Sequence, residues 1–249
     1  MVNSDQTWRK FDKHFFDYGF LKFAEKWNKK KFIYGASLGF NYWNFTSQEV
    51  KIIKKLLKNF SGISVREKGS VKLIKKYLGI NPTIVLDPTL LINKKYYLNI
   101  IKNYKCNIHI NNNYILIYRI GSNKNINNLA IKAKQQLNYK IYDYYLNKNS
   151  TIEDFIYLIV NCKAVITNSY HGTLFSIIFN KPFISFNKKS GAKERLISLG
   201  NLFGFSNRIF DFNQNPNIRL LITPLKINYF VFHNLRKKSI NYIKKNLNF

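Results

Sequence analysis

The 249-residue sequence is poor in cysteine, glycine, proline and acidic residues. Its two cysteines, Cys106 and Cys162, lie far apart and outside any metal-ligand spacing. We therefore expect neither a disulfide framework nor a metal site, and a reducing cytoplasm fits this usage. No segment approaches about 18 uninterrupted apolar residues, so no membrane-spanning helix is expected. The sequence also lacks GxxxxGK[ST], GxGxxG, HExxH and GxSxG, which removes support for the common nucleotide-binding, zinc-protease and α/β-hydrolase functions.

The charge is one-sided, because 41 Lys and Arg residues stand against 12 Asp and Glu, a formal net charge of +29. Such a charge suits a polyanionic partner, whether nucleic acid, an acidic membrane face or a phosphorylated substrate. The lysines are dispersed, however, and Lys, Asn, Ile, Tyr and Phe are heavily used together, as an AT-rich coding sequence dictates. We favour this second explanation, on which the charge says little about partners and no specific nucleic acid is expected.

Short β-type runs alternate with amphipathic helical patterns along most of the chain. This alternation predicts an α/β protein with parallel sheets covered by helices on both faces. Residues 1–92 contain about three predicted strands, an incomplete Rossmann-like domain, whereas residues 113–225 form a complete one. Residues 91–113 are polar and predicted to be irregular. Residues 226–249 are predicted to form a basic, aromatic helix that either packs on the protein with a lysine-rich outer face, which we favour, or lies on an anionic membrane surface.

Two helix ends carry local signals. The apolar period of residues 68–78 predicts a helix that ends at Gly79. Thr151 and Asp154 predict a capping box at the start of a helix over residues 151–162.

The most informative segment is TNSYHGT, residues 167–173, where a predicted strand runs into a helix. In open α/β sheets, ligands bind at the carboxyl ends of the strands, and a helix N-terminus there offers N–H groups and a positive dipole end to an anion. Ser169, His171 and Thr173 add side-chain donors, and Gly172 permits close backbone approach. The alternative is that Ser169 only caps the helix and that His171 is a solvated first-turn residue.

A second strand-to-helix junction is SVREK, which contains Arg66. A guanidinium at the carboxyl end of a strand can hold a phosphate or carboxylate with two parallel hydrogen bonds, which lysine does less well. The alternative is a surface pair of Arg66 with Glu67 or Lys68 and no function. Asp87, in the sequence LDPT after the next predicted strand, is expected to form a turn.

The chain resembles the polysaccharide pyruvyl transferase family in segments that occur in the family's order: SDQTW, YGASLG, SVREK, LDPTLL, ITNSYHGTLFSIIFNKPFI and the Arg-containing KER. The resemblance implies two Rossmann-like domains that face a cleft, as in glycosyltransferases of the B type. It also implies that the C-terminal helix, residues 226–249, packs back on the first domain. Members normally begin with further strands and helices, so we expect this chain to be N-terminally truncated. The implied activity moves a pyruvyl group from phosphoenolpyruvate to a sugar of a cell-surface polysaccharide, giving a pyruvate ketal.

Carried over to this chain, the resemblance implies that Arg66 and His171 lie at the phosphoenolpyruvate site. His171 is the natural proton donor or phosphate ligand, and both roles stay open. Asp5 is the candidate base that takes the proton of the sugar hydroxyl. The expected catalytic residues are His171 and Asp5, and the expected substrate-binding residues are Arg66, Ser169, Tyr170, Gly172, Thr173, Lys181 and Arg195.

The expected partners are phosphoenolpyruvate and a glycan or lipid-linked sugar acceptor, without a metal or organic cofactor. Peripheral contact with the inner membrane face stays open. So do three other functions: a glycosyltransferase that uses a nucleotide-sugar in the same cleft, an inactive fragment, and a basic module that binds polyanions, since fold alone does not fix function.

Overall fold

A computed structural model of the chain describes residues 1, 7–10, 14–104, 113–144, 150–187 and 193–248. The chain divides into two compact units. The first unit comprises Met1–Leu91, Ser190–Leu202 and Asn228–Phe249. The second unit comprises Ile92–Lys189 and Phe203–Ile227. Each unit contains one sheet, and the two are described separately below.

The described helices are, in chain order, α1 (Phe15–Phe20), α2 (Ser47–Leu57), α3 (Lys68–Leu78), α4 (Lys94–Ile100), α5 (Lys124–Leu137), α6 (Ile152–Asn161), α7 (Tyr170–Ile178), α8 (Lys193–Phe203) and α9 (Tyr229–Leu247). The described strands are β1 (Lys31–Ala36), β2 (Phe60–Val65), β3 (Thr83–Ile84), β4 (Tyr114–Tyr118), β5 (Lys140–Tyr144), β6 (Ala164–Thr167), β7 (Phe183–Asn187) and β8 (Ile209–Asp211). All pairs between these strands are parallel.

The sheet of the first unit has the strand order β1-β2-β3. Side chains alternate along β1, as the pleat of a strand requires. Ile33 packs into a core with α2 and α3 on one face, while Phe32 and Tyr34 pack on the other face beside Tyr242 of α9. The sheet of the first unit is therefore covered by helices on both faces.

Helix α9 joins the first unit through polar as well as apolar contacts. The Tyr242 hydroxyl donates to the carbonyl oxygen of Ile33 at 2.8 Å, and the Ser239 hydroxyl accepts the N–H of Leu86 at 2.9 Å. A Cβ on Gly62 would lie 2.7 Å from the Tyr242 hydroxyl, so β2 and α9 approach closely only because residue 62 is glycine. Across the described residues, no helix combines the length and the apolar character needed to cross a membrane.

The sheet of the second unit has the strand order β5-β4-β6-β7-β8. Ile115 and Ile117 of β4 pack with α5 on one face. On the other face, the ring of Phe155 in α6 lies 4.5 Å from the ring of Tyr118 and 5.1 Å from that of Phe175 in α7. Two parallel sheets with helices on both faces confirm the predicted fold class of two Rossmann-like domains.

Three of the helices and strands given above were not predicted from the sequence: α1, α4 and β8. Helix α4 lies in the stretch that was predicted to be irregular, where the Asn93 side chain caps it and the Tyr97 ring packs 5.0 Å from that of Phe175. Strand β8 was also missed, because three residues are too few to show a period. The predicted capping box of Thr151 and Asp154 is confirmed, with both reciprocal hydrogen bonds present.

Candidate functional site

The strand order of the second unit reverses at β4. From β4 the chain passes to β5 on one side and then returns to β6 on the other side. Crossover helices then diverge to opposite faces, which opens a crevice at the carboxyl ends of β4 and β6. The segment predicted to bind an anion follows β6 directly, so the fold places it at the switch point, where ligands bind in open α/β sheets.

Asn168 joins the two strand ends at this switch point. Its Oδ1 accepts the N–H of Ile120 at 2.8 Å, and its Nδ2 donates to the carbonyl oxygen of Ile120 at 3.2 Å. The buried amide thus pairs with the backbone after β4 as a neighbouring strand would. The sequence analysis had assigned no role to Asn168, because its partner lies 48 residues away.

The hydroxyl groups around the start of α7 hold the helix on the sheet. The Ser169 side chain accepts the N–H of Gly172 at 3.3 Å, which confirms it as the helix cap. The buried Thr173 hydroxyl donates to the Ser169 carbonyl at 3.2 Å and lies 2.9 Å from the Ser185 hydroxyl of β7. Ser169 and Thr173 therefore position the start of α7, and their direct contact with a ligand stays a prediction.

Gly172 lets α7 lie directly against the sheet. A Cβ at this position would come within 2.4 Å of Thr167 Oγ1 and 2.8 Å of Tyr118 Cδ1. The close approach that the sequence suggested is therefore an approach to β6 and β4. Tyr118 is itself part of this contact, and burial raises the pKa of its phenol, while a hydrogen bond with Ser169 partly offsets that increase.

His171 lies in the first turn of α7 and is half-buried. Its ring is perpendicular to that of the buried Tyr170, with the centroids 5.6 Å apart. The first N–H groups of a helix lack intrahelical acceptors, and the dipole adds a partial positive charge at this end. An imidazole at such a position can bind an anion or donate a proton to a bound ligand.

Lys181 lies at the other edge of the same sheet. Its Nζ donates to the carbonyl oxygen of Cys162 at 2.8 Å, just before β6 begins, and Lys181 itself shortly precedes β7. Burial lowers the pKa of this ammonium. The amino ends of β6 and β7 are thus linked by Lys181, which is not brought together with the start of α7.

In the first unit, Arg66 follows β2 and pairs with Asp87, which follows β3. Both side chains are 1% exposed, so the alternative of a surface pair with Glu67 or Lys68 is wrong. The other carboxylate oxygen of Asp87 accepts the N–H of Thr89 at 3.0 Å and its hydroxyl at 2.8 Å, which confirms the predicted turn. Asp87 therefore fixes the Arg66 guanidinium at the carboxyl edge of this sheet.

Arg195 lies in the first turn of α8 and is buried. Ser198, three residues later and so on the same face of the helix, accepts the N–H of Lys68 at 3.3 Å. The middle of α8 therefore lies beside the beginning of α3, which Arg66 closely precedes. Asp5 lies outside the described residues.

Arg119 occupies the same kind of position in the second unit, one residue after β4. It donates through Nε and Nη2 to Asp143 at 3.2 and 2.5 Å and through Nη1 to Asn127 at 2.7 Å. The sequence analysis did not single it out, although an arginine after the run YILIY repeats the pattern of Arg66.

Among the described residues, no group of three or more His, Cys, Asp or Glu side chains is placed to hold a metal ion. No curated protein matches the chain significantly. The family model described as polysaccharide pyruvyl transferase matches residues 2–190, about three quarters of the chain, including both strand ends discussed above. The chain therefore belongs to the polysaccharide pyruvyl transferase family.

Proposed function

We propose that this chain transfers a pyruvyl group from phosphoenolpyruvate to a sugar of a polysaccharide and closes it as a ketal across two hydroxyls. The observation that carries the proposal is the family match over residues 2–190. Further support comes from the second unit, where a helix N-terminus and His171 meet at the switch point of a parallel sheet. Such a position suits a small, highly anionic donor.

The proposed reaction begins with protonation of the methylene carbon of the donor, which makes C2 electrophilic and oxocarbenium-like. One sugar hydroxyl attacks C2 and loses its proton, and the C2–O bond to phosphate breaks. A second hydroxyl then adds at C2 and closes the ketal. One hydroxyl proton replaces the proton spent on the methylene carbon and the other leaves with inorganic phosphate, so the products are the ketal and phosphate.

In this proposal the start of α7 binds the phosphate through the backbone around Tyr170–Gly172, and His171 either binds the same group or protonates the methylene carbon. Ser169 and Thr173 act by holding that helix start in place. Asp5 stays the proposed base for the hydroxyl proton.

Arg66 and Arg195 are the proposed cations of the first unit. Asp87 orients the Arg66 guanidinium, so Arg66 needs no reorganisation when an anion arrives. Lys181 has no part in the proposal because it bonds to the backbone at the amino edge of its sheet.

The proposed acceptor is a glycan or a lipid-linked sugar. The donor carries its own activated leaving group, so we propose no organic cofactor or metal. The cytoplasm is the proposed compartment, because two cysteines in 249 residues suit a reducing environment.

Calorimetric titration of the chain with phosphoenolpyruvate and with a panel of nucleotide-sugars tests the proposal. We expect phosphoenolpyruvate to bind and the nucleotide-sugars not to bind. Arg66→Lys should weaken binding about tenfold or more, because the two-pronged geometry is lost. His171→Gln should weaken binding by a similar factor, about tenfold.

Two substitutions serve as matched controls. Arg219→Lys and His233→Gln alter the same residue types at exposed positions outside the segments SVREK and TNSYHGT, and should leave donor binding unchanged. Binding of a nucleotide-sugar without binding of phosphoenolpyruvate would establish a glycosyltransferase instead. Donor binding that ignores both Arg66→Lys and His171→Gln would remove these residues from the site.

A further inference from the structure

Two large aromatic side chains lie exposed on the turn between α1 and β1. Phe23 and Trp27 are each 58% exposed, and their ring centroids are 5.6 Å apart at an interplanar angle of 80°. The other two tryptophans are different, since Trp8 is fully buried and Trp43 packs into an aromatic core. Exposing two adjacent large aromatics leaves apolar area in water, which points to a function for that surface.

The turn that carries these rings is held in place from inside the protein. The buried Lys31 ammonium donates to the carbonyl oxygens of Ala24, Glu25 and Trp27 at 2.7, 3.2 and 3.4 Å. Leu21, at the start of the turn, adopts a left-handed backbone conformation with φ of 50°. A buried charge thus holds the backbone of the turn that carries Phe23 and Trp27.

The surroundings of the two rings are strongly basic. Residues 18–31 contain five lysines and one acidic residue, Glu25, which pairs with Lys55 at 2.9 Å. Lys30 donates to the Lys245 carbonyl at 3.2 Å and to Asn248 at 2.6 Å, which brings the lysine-rich end of α9 beside the turn. Helix α9 carries no acidic residue.

We infer that this basic aromatic surface, made of Phe23, Trp27, Lys26, Lys29, Lys244 and Lys245, docks the protein on an anionic lipid bilayer. Aromatic rings partition into the boundary between headgroups and acyl chains, and each lysine near the surface is attracted by anionic lipids. The turn between α1 and β1 and the end of α9, which Lys30 joins, carry both kinds of side chain. The inference goes beyond the proposed function and does not depend on it.

Two other occupants fit the surface less well. A sugar ring stacks on a flat aromatic face with polar side chains around it, whereas Phe23 and Trp27 meet edge to face and Glu25 is held by Lys55. A second copy of this chain would bring the same lysines against each other, and the like charges would repel. An anionic bilayer matches both the exposed apolar area and the positive charge.

Flotation of the full chain with lipid vesicles tests the inference. We expect binding to vesicles of phosphatidylcholine mixed with phosphatidylglycerol, no binding to phosphatidylcholine alone, and weaker binding as salt rises. Tryptophan emission should shift to shorter wavelength on binding, because Trp27 leaves water while Trp8 is already buried. Trp27→Phe should abolish that shift and keep most of the binding.

Paired substitutions separate this surface from the general positive charge of the chain. Phe23→Ala with Trp27→Ala should weaken vesicle binding roughly tenfold or more, through loss of buried apolar area. Lys26→Gln with Lys29→Gln should weaken it about 25-fold, from roughly fivefold per lysine. The matched controls, Tyr96→Ala for the exposed aromatics and Lys132→Gln with Lys134→Gln for the charge, should stay within about twofold.

Three results would overturn the inference. The first is equal vesicle binding by the parent chain and the variant of Phe23 and Trp27 when circular dichroism shows both to be folded. The second is failure to bind anionic vesicles while an acidic polysaccharide binds in a manner that depends on Phe23 and Trp27. The third is a dimer in sedimentation that the same variant dissociates, with no vesicle binding by the parent.

Discussion

The carboxyl edges of the two sheets are stabilised by different interactions. In the first unit, an ion pair joins the ends of β2 and β3, with the side chains of Arg66 and Asp87 both 1% exposed. In the second unit, neutral groups join β4, β6, β7 and α7, chiefly the Asn168 amide and the hydroxyls of Thr167 and Thr173. The first edge therefore depends on the balance of two buried charges, and the second on the fit of small uncharged groups.

The second unit also contains an arginine–aspartate pair, and it differs from the pair of the first unit in its burial. The Arg119 side chain is 6% exposed, and that of its partner Asp143 is 28% exposed. Water can solvate what remains of this pair when one member is removed, whereas water does not reach the pair of Arg66 and Asp87. Burial rather than residue type thus sets how much each pair matters for stability.

The largest effect is expected for Asp87→Asn. The substitution keeps the shape of the side chain but leaves the buried Arg66 guanidinium without its carboxylate, at a cost of about 3 kcal/mol in the free energy of unfolding. Asp143→Asn, the matched change in the second unit, should cost about 1 kcal/mol or less. Urea denaturation measures both, and equal losses would contradict the distinction between the two edges.

A smaller loss is expected for Gly172→Ala. The added Cβ would meet Thr167 Oγ1 at 2.4 Å and Tyr118 Cδ1 at 2.8 Å, so α7 must move away from the sheet. We expect a loss of about 1–3 kcal/mol in the free energy of unfolding. In a double-mutant cycle with Thr167→Ala, the double variant should lose less stability than the sum of the losses in the two single variants. The reason is that Thr167→Ala removes the clashing Oγ1 atom. Strict additivity would show that this contact does not limit the packing of α7.

A further loss of stability is expected at high pH, and its size grows with the pH. Burial raises the pKa of the Cys162 thiol from 9.0 to about 12 in the second unit, and that of the Tyr242 phenol from 10.0 to about 12 in the first. The unfolded chain loses these protons first, so stability is fully present below pH 9 and falls as the pH rises to 12. Each group lowers the free energy of unfolding by at most about 1.4 kcal/mol for each unit of pH over that range.

Urea denaturation curves recorded about every 0.5 pH unit between pH 8.5 and 12 measure this loss of stability. Cys162→Ala should flatten the decline from its start near pH 9, whereas Tyr242→Phe should flatten it only above about pH 10. A decline that begins at the same pH in both variants would contradict the assignment of the two groups.

Local signals in the sequence predicted the secondary structure of several elements well. Helix α3 occupies Lys68–Leu78 as predicted and ends at Gly79, whose φ is 75°. Here the apolar period and the terminating glycine act within one turn of each other. Helix α4 was missed because seven residues show little period, and the packing of Tyr97 against Phe175 stabilises it from outside its own sequence.

The candidate site residues were singled out from local signals, which did not reveal the partners that these residues contact in the fold. Arg66, His171 and Ser169 were found because polar residues after a predicted strand stand out in a chain of this composition. The pairing of Arg66 with Asp87 was not foreseen, since 21 residues separate them and only the neighbouring positions of β2 and β3 bring them together. Asn168 and Lys181 show the same limitation, because their partners, Ile120 and Cys162, reach them only where β6 lies between β4 and β7.

The sequence by itself determined the α/β class, the helix caps and the junctions of strand and helix, because these depend on residues within a few positions of each other. Only the tertiary structure decided that strand order reverses at β4, that Arg66 pairs with Asp87 in the interior, and that Lys31 bonds to the backbone of the turn that carries Phe23 and Trp27. These features depend on contacts between distant segments, and burial, which gives them their energy, is a property of the folded chain.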